Sequence, residues 1–178
     1  MSLFYATLAT GLFLILCGGT LILNYNGSQI FLKAFPRSKT ATYILMACAM
    51  IWFSSKIFNL GPADFGAYKP ILLSIFLAIT FASFYLVPDF LNVRALAGLA
   101  LLIASLLLDA AYMQDAASRL FLVGFVYLVI LLALIFGGAP YLLRDAINWF
   151  FRYHFRVKLF AFVLCLYGTI LSYVALNY

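Results

Sequence analysis

Apolar residues run almost without interruption through six stretches of the chain, and polar residues gather between them. The stretches cover residues 3–23, 41–60, 70–87, 92–113, 119–138 and 159–177. A helix needs roughly 20 apolar residues to cross the hydrocarbon of a bilayer, so each stretch is long enough to span. Backbone groups in hydrocarbon must bond within their own segment, and the alternating polarity of a membrane β-strand is missing. The sequence therefore predicts an all-α bundle of six transmembrane helices.

Composition excludes a soluble protein. Of the 178 residues, 67% are hydrophobic and 9% are charged, whereas about a quarter of the residues in a soluble domain are charged. Six spans leave only short loops, so we expect a single transmembrane domain over residues 1–178. We interpret residues 3–23 as a retained first helix and not as a signal peptide, because the first charged residue is Lys33 and a positive leading segment is missing.

The distribution of Lys and Arg predicts the orientation. The loops 24–40, 88–94 and 139–158 carry eight of these residues, and the loops on the opposite side carry three. Positive residues collect on the cytoplasmic side, so we expect both termini to be extracytoplasmic in a plasma (inner) membrane protein. The net charge of +6 then reflects topology and contact with anionic headgroups. Without a long solvated loop, no nucleic-acid partner is expected.

The loop after the fifth stretch has the pattern of an amphipathic helix. Basic residues recur at helical spacing through residues 141–156, among aromatic and aliphatic residues. This pattern predicts a helix lying in the membrane interface, although an extension of the fifth or sixth span would also fit. The candidate contacts for anionic lipid are Arg144, Arg152, Arg156 and Lys158. Residues 29–39 show a weaker version of the pattern, interrupted by Pro36.

Charged residues near the outer ends of the spans form a second candidate site. Lys56 and Asp109 lie about one turn inside the second and fourth stretches, and charges at that depth favour pairing. We expect them to form an ion pair, directly or through one water. The candidate outer charge cluster consists of Lys56, Asp64, Asp109, Asp115 and Arg119. It is either a set of ion pairs joining helix ends or the entrance for a charged solute.

Short local patterns predict caps and helix contacts. Asp89 and Asn92 follow Pro88 and are candidates to cap the fourth span. Small residues recur every four positions on the third and fourth stretches, which favours close helix packing. These small residues are Ser74, Ala78, Ala82, Ala100 and Ala104.

Motifs for catalysis and for metal binding are missing. Cys17, Cys48 and Cys165 lie in three different stretches without a CxxC motif, so we expect buried free thiols, no metal and no cofactor. No catalytic residue is predicted, although Asp145 and His154 share a loop at the cytoplasmic interface.

These features favour a small non-catalytic membrane protein that serves as a subunit or accessory of a larger membrane complex. Its expected partners are membrane lipids, including anionic headgroups, and other subunits or further copies of itself. The alternative is a small-solute transporter or channel, with the outer charge cluster as its entrance. A third hypothesis is an intramembrane lipid-modifying enzyme that uses Asp145 and His154. An enzyme is less favoured than a non-catalytic protein, because catalytic motifs are missing.

Overall fold

The computed structural model describes residues 2–61, 64–87 and 89–178, and within them it is 86% helical without a strand. This confirms the all-α fold class. Two short 3₁₀ turns, Phe35–Arg37 and Gly66–Tyr68, lie between helices. The helices of the described residues are α1 (Leu3–Leu23), α2 (Tyr25–Ala34), α3 (Lys39–Phe58), α4 (Lys69–Leu86), α5 (Leu91–Ala111), α6 (Arg119–Gly138), α7 (Pro140–Phe150) and α8 (His154–Leu176).

Six of these helices, α1, α3, α4, α5, α6 and α8, are long and apolar enough to cross a membrane. The chain is thus a multi-pass membrane protein, as predicted. Five of the six spans begin and end within two residues of their predicted limits, and α8 begins at His154 instead of residue 159. Pro88, named above as the residue before a cap, lies outside the described residues.

The predicted interfacial helix over residues 141–156 is shorter than expected. Helix α7 ends at Phe150, and the residues from His154 onward already belong to α8. Pro140 occupies the first turn of α7, where its fixed φ and missing N–H suit a helix start. A separate helix thus forms first and the rest of the segment extends the sixth span. The position of α7 in the membrane interface stays a prediction.

The weaker amphipathic pattern at residues 29–39 corresponds to α2, which begins earlier. The Asn24 side chain accepts a hydrogen bond from the Gly27 N–H at 3.1 Å, as a helix cap does. Pro36 then lies in the 3₁₀ turn that follows α2. The helix therefore starts at Tyr25, directly after the first span.

The most extensive helix contact joins α1 and α8, which run antiparallel. The buried residues of α8 follow one another at steps of four, seven, three and four, which places them on one face of the helix. A Cβ atom added to Gly18 would lie 2.7 Å from the carbonyl oxygen of Ala161, so the two backbones nearly touch. Helices α5 and α6 complete the core through buried side chains, namely Ala104, Ala110, Ala111, Leu122 and Val126.

Helices α3 and α4 lie outside this core. Helix α3 packs on α5, while the main helix contact of α4 is with α3. Ile57 is the buried residue of α3, and Thr80 is the buried residue of α4. The bundle therefore consists of four tightly packed helices and a loosely attached pair.

Candidate functional site

One end of the bundle carries most of the positive charge. Helices α2 and α7 contact each other there, and the 3₁₀ turn after α2 contacts α5. Eight of the eleven Lys and Arg residues lie in the segments at this end, which we call the basic end. These residues are Lys33, Arg37, Lys39, Arg94, Arg144, Arg152, Arg156 and Lys158.

An open cleft of about 430 Å³ lies between α2 and α7 at the basic end. One wall comes from α2 and its 3₁₀ turn, and the other comes from α7. We call this the basic cleft, and it is lined by Lys33, Pro36, Arg37, Arg144, Asp145 and Asn148. Of the predicted lipid contacts, it contains only Arg144. The sequence analysis did not assign Lys33 and Arg37 to a site, although both lie in the 29–39 pattern.

Arg144 is held in place on two sides. Its Nη2 and Nε atoms lie 2.8 and 2.9 Å from the same carboxylate oxygen of Asp145. Its guanidinium carbon lies 6.0 Å from the centre of the Phe90 ring, at the limit of a cation–π contact. The guanidinium therefore has a defined position in the cleft wall.

Asn92 connects the opposite wall to the core. Its side chain is buried, its Nδ2 group donates a hydrogen bond to the carbonyl of Phe35, and its Oδ1 atom accepts one from the Val93 N–H at 2.9 Å. The predicted cap is wrong in this respect, since the residue at the start of α5 is Phe90, in the left-handed region at φ 57°. The Asn92 side chain is hydrogen-bonded to the 3₁₀ turn and does not cap α5, because that turn packs directly on α5.

Arg156 holds the turn between α7 and α8. Its guanidinium carbon lies 4.0 Å from the centre of the Trp149 ring and 4.6 Å from that of Tyr153. The Nη1 group also donates a hydrogen bond to the Trp149 carbonyl at 3.1 Å, which satisfies a group at the end of α7. Arg152 and Lys158 are exposed. The structure thus does not gather the four predicted lipid contacts into one site, and lipid binding by them stays a prediction.

Asp145 and His154, the candidate pair for lipid chemistry, have different neighbours. Asp145 pairs with Arg144 in the basic cleft. The His154 ring lies with its centre 3.9 Å from that of Tyr25. No hydrogen bond joins Asp145 to His154 within the described part of the chain, so the two side chains do not form a proton relay there.

The outer charge cluster lies at the opposite end of the bundle. Lys56, Asp64, Asp109 and Asp115 are exposed. Arg119 is half-buried and donates a hydrogen bond to the Ala111 carbonyl at 3.2 Å. The cluster itself, as ion pairs or as a solute entrance, stays a prediction.

The expected direct ion pair between Lys56 and Asp109 is not formed. In residues 2–61, 64–87 and 89–178, the ion pair within 4 Å is Arg144–Asp145. Both side chains are exposed. The long Lys56 side chain can extend to headgroup water, and Asp109 lies two residues before the end of α5, so neither needs the other as a partner. Similar depth in the membrane was therefore not enough to predict a contact.

The chain matches no protein-family model, no curated protein and no solved structure. Its function must therefore be inferred from its own geometry. Two features offer the most for that purpose, namely the basic cleft and the exposed side of α4.

The predicted small-residue faces differ in how they are used. Ala104 is buried in the core, whereas Ser74 and Ala78 on α4 are exposed. The closest helix contact instead uses Gly11 and Gly168, which the sequence analysis missed. The signal for them was the seven-residue spacing of Gly11 and Gly18 on α1.

The cysteines are separate free thiols. Cys17 and Cys165 are half-buried, but Cys48 is exposed on α3, so its predicted burial is wrong. The Cys165 thiol lies 3.8 Å from the Ile15 carbonyl oxygen within the α1–α8 contact. Among the described residues, no group of three His, Cys, Asp or Glu side chains is placed to hold a metal ion.

Proposed function

We propose that this protein is a non-catalytic subunit of a larger complex in the plasma (inner) membrane, and that it joins this complex through α4. The observation that carries the proposal is the exposure of Ser74 and Ala78 on a helix whose main contact is α3. The partner is a transmembrane helix, either of another subunit or of a second copy of this chain.

Small residues four positions apart let two membrane helices approach closely, and such faces are enriched at helix contacts. Large exposed residues, Ile71, Phe81 and Tyr85, flank Ser74 and Ala78 along α4. The Ser74 hydroxyl donates to the Pro70 carbonyl at 2.8 Å, so its hydrogen bond is made within α4. This surface therefore suits an apolar partner helix better than a charged one.

Loose packing beneath α4 supports the same proposal. An open pocket of about 570 Å³ lies between α3 and α4, and it is lined by Tyr43, Met46, Met50, Phe81, Phe84, Tyr85 and neighbouring residues. Methionine side chains adapt readily to different packing surfaces. Because few residues of its own chain contact α4, a helix packed against Ser74 and Ala78 would add much of the contact that stabilises its position.

The test compares the size of the complex extracted from native membranes in a mild detergent. The Ser74→Leu/Ala78→Leu double variant should run as a smaller species than the wild type on a native gel. Ser105→Leu is the matched control, because Ser105 is an exposed serine within the spanning helix α5. A double variant that keeps the wild-type size, or a wild type that is already monomeric, would contradict the proposal.

We also propose that the basic end faces the cytoplasm and that both termini are extracytoplasmic, because eight Lys and Arg residues lie at one end and three at the other. Asn177 and Ala146 are both exposed and lie at opposite ends of the bundle. In a background lacking the native cysteines, a membrane-impermeant maleimide should label Asn177→Cys in intact cells and spare Ala146→Cys. The reverse labelling would overturn this orientation.

A further inference from the structure

We infer that the basic cleft is a binding site for a phosphate group. Lys33 and Arg37 reach it from α2 and the following turn, and Arg144 and Asn148 reach it from α7. These two segments are far apart in sequence and meet only in the folded protein. The cleft is open and has a volume of about 430 Å³, which is enough to admit a phosphate group.

The charges that line the cleft favour an anion. Asp145 is the acidic residue in the lining and is paired with Arg144. The charges of Lys33 and Arg37 therefore remain without a carboxylate partner among the described residues. Like charges brought together repel each other, and a bound anion would remove that repulsion.

The polar groups of the cleft are also of the types that bind phosphate. The Asp145 carboxylate contacts the Nε and Nη2 atoms of Arg144. The remaining Nη1 group of Arg144 makes no hydrogen bond within the described residues. A guanidinium is a planar set of donors suited to phosphate oxygens. The amide of Asn148 adds a neutral donor, and Lys33 adds a point charge.

Each wall has contacts that anchor part of it to the rest of the protein, and such contacts reduce the entropy lost on binding. Pro36 is buried, and the Asn92 side chain ties the Phe35 carbonyl to α5. Arg144 is held by Asp145 and by the ring of Phe90. The site is therefore formed by side chains in defined positions and not only by a diffuse positive surface.

Phospholipid headgroups and free inorganic phosphate present the same chemical group to this cleft. The exposed side chains of Ile30 and Phe31 on α2, and of Trp149 on α7, lie on the two helices that form it. These apolar groups suit the acyl region of a lipid, whereas a soluble ligand would not need them. The experiment below has one arm for each source, and it does not involve α4.

The first arm uses the full-length protein in nanodiscs of phosphatidylcholine, with or without phosphatidylglycerol, and measures retained phosphatidylglycerol by native mass spectrometry. The second arm uses the full-length protein in a phosphate-free maltoside detergent and compares thermal stability in sodium phosphate and in sodium chloride at equal ionic strength. The cleft variants are Arg37→Gln, Arg144→Gln and Asn148→Ala. The controls are Lys39→Gln and Arg94→Gln, which remove the same charge from exposed residues at the basic end but outside the cleft.

Removing one basic residue near an anionic group should weaken binding about fivefold, so Arg37→Gln and Arg144→Gln should each weaken it by that factor. Lys39→Gln and Arg94→Gln should leave it unchanged. Asn148→Ala should also weaken it, and this exposed, uncharged change keeps both the fold and the net charge. An effect in the first arm identifies a lipid headgroup, and an effect in the second identifies soluble phosphate. Equal losses in cleft and control variants, or no binding in either arm, would overturn the inference.

Discussion

Gly11 of α1 and Gly168 of α8 face each other so closely that a Cβ atom on Gly168 would lie 2.7 Å from the Gly11 carbonyl oxygen. A Cβ atom on Gly11 would in turn lie 2.8 Å from the Gly168 carbonyl oxygen. Lipid solvates apolar side chains as well as a neighbouring helix does, so association relies on close backbone packing. This contact therefore contributes strongly to holding the first and last helices of the chain together.

Gly168→Ala should separate α1 from α8 and lower the free energy of unfolding by about 1–3 kcal/mol, the usual effect of overpacking. The clash involves the backbone of Gly11 and of Ile15, which cannot simply rotate away. Gly19→Ala is the control, because nothing lies within 4 Å of the added methyl group. Thermal unfolding in detergent measures both, and an equal melting temperature for Gly168→Ala and the wild type would contradict the close contact.

The six spans could be predicted from the sequence, but their arrangement could not. A run of apolar residues as long as the bilayer is thick is a local signal, and it located α1 and α6 to the residue. Helix pairing depends on which side of each helix meets which neighbour, and apolar residues surround these spans on all sides. The small-residue pattern pointed to Ser74 and Ala78, which are exposed. The tightest contact uses glycines at opposite ends of the chain.

The basic cleft could not be predicted from the sequence, for a related reason. Arg144 was identified from helical spacing within one segment, but Lys33 and Arg37 come from another. Asn92 was predicted to cap a helix because it follows Pro88 in the sequence. Its side-chain amide instead donates a hydrogen bond to the carbonyl of Phe35, which lies 57 residues earlier. Contacts of this length are determined by how α2, α5 and α7 pack, and no periodicity within one helix encodes them.

Asn92→Ala should destabilise the wall of the basic cleft by about 1 kcal/mol, the usual contribution of one buried hydrogen bond. The Phe35 carbonyl would keep its bond from the Ser38 N–H at 3.0 Å, so the effect should be local and not global. Amide hydrogen exchange should therefore rise at Phe35, Arg37 and Ser38 while α1 and α8 stay protected. Asn26→Ala, at an exposed asparagine of α2, should leave exchange there unchanged.

Arg156→Lys should loosen the turn between α7 and α8 although it keeps the charge. A lysine has no planar group to stack on Trp149 and Tyr153, and a contact of this kind contributes about 0.5–2 kcal/mol. In a Trp52→Phe background, the fluorescence of Trp149 should shift for Arg156→Lys. It should stay unchanged for Arg152→Lys, whose guanidinium carbon lies 5.8 Å from the Tyr153 ring centre. A shift of equal size in both variants would refute the role of Arg156.

Lys56 and Asp109 should behave as independent residues, because both are exposed and no direct ion pair joins them. The stability changes of Lys56→Met and Asp109→Leu should therefore add to within about 0.5 kcal/mol in the double variant. Arg144→Met and Asp145→Leu provide the comparison, since these two side chains do pair, at 2.8 Å. Their coupling should be at most about 1 kcal/mol, because the pair is partly exposed to water. A coupling between Lys56 and Asp109 as large as that of Arg144 and Asp145 would mean that the two outer charges meet in the membrane. That result would favour a charged site at the outer end of α3 and α5.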